Sequence, residues 1–475
     1  MINLFEKNIY NNYPMNKVIY LLLIIVVIIF KPEFKSEINS SLLIFYNSIM
    51  ISAMLIYFNS IKKNNNWFRI DLIFLIGFII VHFQWAIMYS FSDLLPENIY
   101  RFFVDPIYFN FATYLSLLGL LGWFFGFELI KEKPPKKQHI YIYSTNNLRI
   151  ITTISFIIYF IENGSYYLVG GKYTKTITQE ASAIGAYMYL IFSISILILT
   201  AILILNNRSK WNGNLFRWIK GLDKRDLIII ISYALFFVLS GDRGPVLKLA
   251  IVVLFFFSTF VRSIGKMKLL MLITSGALLL TIIGNGRGKV DGQNIVFSGV
   301  DNFQLNNAYD ITLELANSSR TLYKGLSHVP EKHDYFYGKL WSGNILSVIP
   351  FAQSAYIYVT GAKKYETGSA RYITFLTFGP NSVSGEGTSL IIDIYLNFGV
   401  FGVFAFMTLF GYFFKIIINK LNTDFTKKWL LILIVITSLS FYFGRSDLFV
   451  FFRPVVFGII IITFLVKRKK MTLKV

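Results

Sequence analysis

The feature that most constrains this chain is a series of apolar runs about as long as a bilayer is thick. A helix needs roughly 20 mainly apolar residues to cross the hydrocarbon core of a membrane. By that measure we place twelve spans. They lie near residues 17–31, 42–58, 70–90, 111–130, 149–162, 186–206, 226–241, 245–261, 268–285, 398–419, 428–444 and 449–466. The sequence therefore predicts an all-α, polytopic integral membrane protein with about twelve transmembrane helices.

The composition excludes a water-soluble globule. Of the 475 residues, 55% are hydrophobic and only 15% are charged, which leaves too little polar side chain to cover a soluble protein of this size. The first apolar run is followed by Lys31 and Pro32 and not by a small-residue cleavage site, so we interpret it as a retained span. The chain has no cysteine, which excludes disulfide and thiolate chemistry.

The basic residues predict the orientation of the helices. The formal net charge is +21, and the lysines and arginines cluster in short loops on one side of the predicted bundle. These loops are 62–69, 131–137, 208–225, 262–268, 420–428 and 467–470. The positive-inside rule makes this side cytoplasmic, together with both termini. Because topology accounts for the basic residues, the net charge requires no nucleic-acid partner.

The opposite side, which is the cell exterior or the bacterial periplasm and is called periplasmic below, is predicted to carry one large loop with short helices. The chain then divides into transmembrane helices 1–9 (1–285, with a periplasmic turn at 241–245), the large loop (286–397) and transmembrane helices 10–12 (398–475). Residues 344–361 are apolar enough to suggest a thirteenth span, but they contain a proline, and a crossing there would put the basic tail outside. We therefore expect an interfacial or re-entrant helix at this place.

The positive-inside rule predicts few arginines on the periplasmic side, and four of those that lie there are candidates for a binding site. They are Arg243 in GDRGP, Arg287 in NGRGK, Arg371 in GSARY and Arg445 in FGRSD. Guanidinium groups hold phosphate in bidentate geometry and stay charged at any accessible pH. A charge beside a membrane span is costly and is usually retained for a partner. The four arginines therefore predict a site for a lipid diphosphate, such as that of a polyprenyl diphosphate sugar.

Each of these arginines also has a structural interpretation. Asp242 could form a surface ion pair with Arg243, and Asp447 could pair with Arg445 at a short turn. Arg287 could snorkel from the end of a span. For Arg371, which lies in the long loop, the sequence gives no hydrophobic reason for a basic residue. These alternatives stay open at the level of the sequence.

A polar stripe precedes the tenth predicted span. If the chain is helical from about Ser389, then Ser389, Asp393 and Asn397 lie on one face at spacings of four. Asp393 and Glu386 are candidate general bases, because a carboxylate that is partly removed from water can accept a proton from a hydroxyl. The alternatives are a structural hydrogen bond for Asp393 and helix N-terminal electrostatics for Glu386. The segment from 388 to 420 is too long for one straight span, so it either projects outward or breaks at Gly399.

In its layout and in two motifs the chain resembles the Wzy-type O-antigen and repeat-unit polymerases of bacterial polysaccharide assembly. The GDRGP turn, the large external loop and the pattern GTSLIIDIYLNFGVFGV carry the resemblance. The matching residues of that pattern are Gly387, Ser389, Asp393, Tyr395, Asn397, Phe398 and Gly399, with aspartate where the family often has glutamate.

The resemblance implies a glycosyltransferase of the bacterial inner membrane. Such an enzyme transfers the growing glycan from undecaprenyl diphosphate onto the next undecaprenyl-diphosphate-linked repeat unit at the periplasmic face. Asp393 or Glu386 would be its base, the four arginines would bind diphosphate, and Asp242, Tyr395 and Asn397 would support the site. A chain-length regulator is a further partner to expect.

The predicted chemistry needs neither a metal nor a cofactor. Fixed arginines can stabilise a leaving diphosphate, and a carboxylate can deprotonate the acceptor hydroxyl. His328 and His333 are five residues apart without an HExxH arrangement, and the sequence contains no P-loop or dinucleotide motif.

Three other functions stay open at this level. A flippase for lipid-linked oligosaccharides would also need cations for the diphosphate, although transporters commonly show internal repeats. An O-antigen ligase would use the same donor and differ only in its acceptor. A structural membrane scaffold would not explain the charged residues on the periplasmic side.

Overall fold

The protein is an all-α polytopic membrane protein. The computed structural model describes residues 13–61, 66–91, 105–133, 141–164, 182–285, 310–382, 385–423 and 426–470. Its first ten helices are α1 (Tyr13–Ile29), α2 (Ser40–Ile61), α3 (Ile70–Ser90), α4 (Phe109–Glu128), α5 (Asn146–Tyr159), α6 (Ala183–Asn207), α7 (Leu215–Lys220), α8 (Lys224–Leu239), α9 (Arg243–Phe260) and α10 (Lys266–Asn285).

The second half of the chain begins with short helices and ends with long ones. These are α11 (Asp310–Ala316), α12 (Arg320–Leu326), α13 (Ser342–Leu346), α14 (Ala352–Thr360), α15 (Ser369–Phe378), α16 (Leu390–Thr423), α17 (Lys427–Leu439) and α18 (Phe452–Leu465). A 3₁₀ turn, Ser440–Arg445, continues α17. Two short strands, β1 (Tyr141–Tyr143) and β2 (Arg468–Lys470), form an antiparallel pair.

All twelve predicted spans fall on helices. Within the described residues, seven helical segments are long and apolar enough to cross a membrane, and α1 and α18 are shorter apolar helices. The remaining predicted spans coincide with α5, α8 and α10. The total of twelve crossings stays a prediction.

Helix α4 is the centre of the bundle and packs closely against α16. A β-carbon at Gly126 would lie 1.9 Å from the carbonyl oxygen of Thr408, and one at Gly411 would lie 2.0 Å from that of Trp123. Glycines let two helix backbones approach to this distance, as they do in many membrane helix pairs. Larger side chains at these positions would force the two helices apart.

The predicted cytoplasmic loops contact one another. The backbone N–H of Trp67 donates to the carbonyl oxygen of Ile264 at 2.8 Å, which joins the loop 62–69 to the loop 262–268. Lys415 Nζ lies 3.0 Å from Glu132 Oε2, and β1 pairs with β2 of the basic tail. These contacts put the basic segments at one end of the bundle.

The predicted periplasmic segments contact one another at the other end. The N–H of Ser36 donates to the carbonyl oxygen of Ile107 at 3.0 Å, and Lys35 Nζ lies 2.6 Å from Glu331 Oε2. The segment 344–361 contains the end of α13 and the whole of α14, which has nine residues. A helix of that length spans about 14 Å, which is well short of a bilayer core of about 30 Å. The described structure therefore contains no straight thirteenth span here.

Candidate functional site

Two of the four arginines that are predicted to bind diphosphate line one cavity. This cavity of about 290 Å³ lies where the start of α9 meets α10, α11 and the Ser440–Arg445 turn. Arg243 and Arg445 both line it, with Asp310, Glu314 and Tyr442 among the other lining residues. Guanidinium and carboxylate groups from distant parts of the sequence therefore converge at the predicted periplasmic end of the bundle.

The GDRGP motif is a helix-capping turn that presents Arg243. Gly241 has φ = 70°, a left-handed conformation that favours glycine. Asp242 is the N-cap of α9, and its Oδ1 accepts a hydrogen bond from the N–H of Gly244 at 3.3 Å. Arg243 is the first residue of the helix, and its side chain is 13% exposed and forms an ion pair with Glu314 of α11. Asp242 thus fixes the start of the helix that carries Arg243.

Of the other two candidate arginines that the structure describes, Arg445 lines this cavity and Arg371 does not. Arg445 ends the 3₁₀ turn and is exposed where it lines the cavity. Arg371 is on α15, where its Nη1 donates to Thr367 Oγ1 at 2.8 Å, and it is not among the residues that line this cavity. Arg287 lies outside the described residues.

Asp393 is buried at the start of α16 and joins two other segments to it. Its Oδ2 accepts hydrogen bonds from the indole N–H of Trp341, at 2.9 Å, and from the backbone N–H of Leu448, at 2.8 Å. The side chain has no exposed surface. Trp341 belongs to the large loop and Leu448 to the turn before α18. Through its Oδ2, Asp393 therefore connects the loop and this turn to α16.

Helix α16 breaks at Gly399, one of the two outcomes expected from its length. Gly399 has φ = 64° and ψ = −159°, a conformation that is essentially restricted to glycine. The break frees two carbonyl oxygens from the helical pattern. The oxygen of Leu396 accepts from the N–H of Phe336 at 2.9 Å, and that of Asn397 accepts from the N–H of Tyr337 at 3.0 Å. The loop segment 335–341 is thereby fixed against the break.

Asn397 and Tyr395 belong to the same junction. The Asn397 side chain donates to the carbonyl oxygen of Asp393 at 2.8 Å and accepts from the N–H of Gly338 at 3.0 Å. The ring of Tyr395 packs edge-on against that of Tyr335, with 5.8 Å between ring centroids. Both residues therefore hold the loop to α16.

Glu386 is buried and paired with an arginine. Arg320 Nη2 donates to Glu386 Oε2 at 2.7 Å, and Arg320 Nε pairs with the other carboxylate oxygen. The backbone N–H of Glu386 donates to Thr374 Oγ1 at 3.0 Å. This bidentate ion pair connects α12 to the segment before α16 and occupies both oxygens of the Glu386 carboxylate.

A family comparison identifies the chain. The family model described as O-antigen polysaccharide polymerase Wzy matches residues 15–474. The chain belongs to the Wzy family of O-antigen polymerases. No curated protein sequence and no solved structure matches it. Membership makes the protein a glycosyltransferase-type polymerase of the inner membrane that acts on lipid-linked oligosaccharide.

Several residues of this Wzy-family polymerase were not found from its sequence. Arg320 lies in the predicted periplasmic loop, so the rule that singled out the other four arginines applies to it too. Glu314, Asp310 and Tyr442 gave no comparable signal, because only the fold brings them to Arg243. The sequence pattern indicates Asp447 only as a partner of Arg445. Burial raises the pKa of Asp447, although a hydrogen bond from the Asn344 side chain opposes this.

The described part of this Wzy-family chain contains no group of three or more histidine, aspartate or glutamate side chains placed to hold a metal ion. His82 is buried in α3, where its Nδ1 lies 3.4 Å from Ser116 Oγ, and it does not line the arginine cavity.

Proposed function

We propose that this Wzy-family enzyme binds the diphosphate of its lipid-linked glycan in the cavity that Arg243 and Arg445 line. The observation that supports this is the convergence of the two guanidinium groups at the predicted periplasmic end of the bundle. Two arginines can share a diphosphate, because each guanidinium can donate two parallel hydrogen bonds to phosphate oxygens. The substrate would be an undecaprenyl-diphosphate-linked oligosaccharide.

Glu314 holds Arg243 in place until the diphosphate binds. Its side chain is 55% exposed, whereas that of Arg243 is 13% exposed. An exposed carboxylate forms a weak pair that a ligand of higher charge can displace. In this proposal the diphosphate takes over the Arg243 contact, and Glu314 turns towards solvent.

The reaction transfers the glycan between two lipid carriers. A hydroxyl at the non-reducing end of the acceptor repeat unit attacks the anomeric carbon of the donor glycan. The bond from that carbon to the diphosphate oxygen breaks, a base takes the hydroxyl proton, and the lipid diphosphate leaves with the bonding electrons. Arg243 and Arg445 stabilise the negative charge that develops on the leaving group, and in many enzymes such electrostatic stabilisation contributes most of the rate enhancement. The guanidinium groups supply this charge without a metal ion.

The identity of the base stays a hypothesis between several carboxylates. Asp393 and Glu386 are the sequence-based candidates, and each would have to exchange the partners described above in order to reach a hydroxyl. Asp310 lines the cavity itself, whereas Glu314 turns towards solvent when the diphosphate binds. A base must come within hydrogen-bond reach of the proton it removes, so Asp310 has the shorter path.

The surface glycan of a deletion strain tests the function. Loss of a polymerase leaves the flippase and the ligase working, so single repeat units should cap the lipid core. Complete loss of surface glycan would contradict the proposal and indicate a flippase or a ligase. The distribution of chain lengths in the complemented strain, with and without a chain-length regulator, tests that proposed partner.

A further inference from the structure

A second cavity of this protein is almost wholly apolar. This groove of about 680 Å³ lies between α6, α7, α8, α9 and α10, towards the predicted cytoplasmic end of the bundle. Val253, Leu254 and Phe257 line it from α9, and Met271 and Leu272 line it from α10. Lys268 is the only charged residue among its lining residues in the described part of the chain. Such a groove inside the membrane region suits a hydrocarbon chain.

The groove and the arginine cavity share two helices. Both are lined by α9 and α10: the cavity by Arg243 and Thr281, the groove by Val253 and Met271. Each pair of positions on one helix is ten residues apart, which corresponds to about 15 Å along the helix axis. Phe257, at the far end of the groove, is about 21 Å from Arg243 on the same scale. A chain anchored by its head in the cavity would run along α9 and α10 into the groove.

These distances favour a long hydrocarbon chain over an ordinary acyl chain. One leaflet contributes about 15 Å, half of the hydrocarbon core of about 30 Å. A phospholipid whose head lies at the periplasmic surface therefore ends near the midplane, where the groove begins. An isoprenoid chain that extends beyond the midplane can fill the groove.

We propose that this groove binds the isoprenoid chain of the lipid carrier whose diphosphate occupies the Arg243–Arg445 cavity. The inference rests on the proposed function, because the cavity fixes the head of the carrier. It assigns α9 and α10 a role in substrate selection: the cavity recognises the diphosphate, and the groove recognises the length of the lipid. Lipid tails are about as apolar as leucine, so the selectivity comes from packing and not from removal of water.

Chain-length dependence tests the proposal on the full-length protein in proteoliposomes. Met271→Trp and, separately, Val253→Phe fill the groove, and polymerisation is measured with the same repeat unit on a C55 and on a C15 isoprenoid diphosphate. We expect each variant to raise KM for the C55 substrate about tenfold. This is the low end of the discrimination that one extra or missing methylene causes in an apolar pocket. With the C15 substrate both variants should match the wild type, which also shows that they are folded. Ile228→Trp is the matched control, because Ile228 is 63% exposed on α8 and does not line the groove.

Equal effects on both substrates, or no effect on either, would overturn the assignment of the groove. The same result would be expected if the groove held a phospholipid of the cytoplasmic leaflet with its head at Lys268. Failure of the wild type to polymerise either substrate would instead overturn the proposed function, so the two failures are distinguishable.

Photocrosslinking gives a second measurement that does not depend on turnover. A C55 diphosphate with a diazirine at the far end of its chain should label α9 or α10 within 253–257 or 268–272, and unlabelled C55 diphosphate should compete. Labelling confined to the outer face of α8 around Ile228 would contradict the proposal.

Discussion

At the scale of single residues, Arg243 shows why the chain places an aspartate beside an arginine between two apolar helices. Asp242 accepts the hydrogen bond that starts α9, and Arg243 extends from the first helical position to Glu314. The two neighbours thus have separate tasks. Asp242 fixes the backbone of the turn. Arg243 provides a positive charge, for which a diphosphate can compete with Glu314.

Asp393 is expected to have a structural role, and an isosteric change tests this. In Asp393→Asn the amide oxygen can still accept from Trp341 and Leu448, so we expect polymerisation within about tenfold of the wild type. Loss of a general base would instead lower the rate by about 10²–10⁴. The measurement is the polymerisation rate at equal protein amounts in membranes. A rate loss in that range with undiminished abundance would make Asp393 the base, and Asp393→Ala, which removes the acceptor, should mainly lower abundance.

A double variant of Glu386 and Arg320 distinguishes an effect on catalysis from an effect on stability. Glu386→Gln leaves a partly buried arginine without its carboxylate, and we expect a loss of stability of at most about 3 kcal/mol, because the Arg320 side chain stays 32% exposed. Arg320→Gln should have a similar effect. The double variant should recover much of the loss, because neighbours in one ion pair are not additive. Thermal unfolding in detergent measures this. Recovered stability without recovered polymerisation would identify Glu386 as the base.

At the scale of elements, the broken helix α16 organises the predicted periplasmic side. A continuous helix would satisfy the carbonyl oxygens of Leu396 and Asn397 internally. The break at Gly399 instead offers them to the loop segment 335–341, and the Asp393 contacts fasten the turn before α18 to the same place. One glycine therefore determines where the loop attaches.

Gly399→Ala should loosen this junction. The conformation of Gly399 costs a residue with a β-carbon about 1–3 kcal/mol, and the new atom would lie 3.0 Å from the ring of Tyr335. We expect lower thermal stability and faster proteolysis of the loop in spheroplasts. Gly276→Ala on α10 is the control, because a β-carbon there would meet no atom within 4 Å. Equal behaviour of the two variants would show that the break does not hold the loop.

At the scale of the whole molecule, the contacts between loops support the predicted topology. Loops that follow an even number of predicted spans touch one another, as at Trp67 and Ile264, and loops that follow an odd number do likewise, as at Ser36 and Ile107. An extra crossing at 344–361 would put the later loops on the opposite side from their partners. The absolute orientation rests on the positive-inside rule.

Reporter fusions test that orientation. Fusions after Lys339 and after Lys363 should both report the periplasm, because the helices within 344–361 are too short to span a bilayer. A fusion after Lys137, in a predicted cytoplasmic loop, is the matched control and should report the cytoplasm. Opposite signals from the first two fusions would contradict the twelve-span topology and separate Arg371 from the large loop.

The parts of this account that could be predicted from the sequence are those that depend on local pattern. The length of apolar runs predicts the helices, and the excess length of α16 together with Gly399 predicts its break as one of two outcomes. The junction at Asp393 could not be predicted, because its partners Trp341 and Leu448 lie 52 and 55 positions away along the chain. For the same reason the sequence groups four arginines by side of the membrane, whereas the fold brings Arg243 and Arg445 to one cavity and places Arg371 elsewhere.

The central claim is that Arg243 binds a lipid diphosphate, and glycan chain length tests it most directly. Arg243→Lys keeps the charge but loses the fork that holds phosphate, so chains should be short or absent on a gel, as in Arg243→Ala. Cells with equal amounts of each variant in their membranes are compared. Glu314→Gln is the control: it removes the carboxylate that pairs with Arg243 and should leave long chains. If Arg243 serves only its exposed ion pair, worth at most about 1 kcal/mol, lysine should support full-length chains, and full-length chains from Arg243→Ala would contradict the claim.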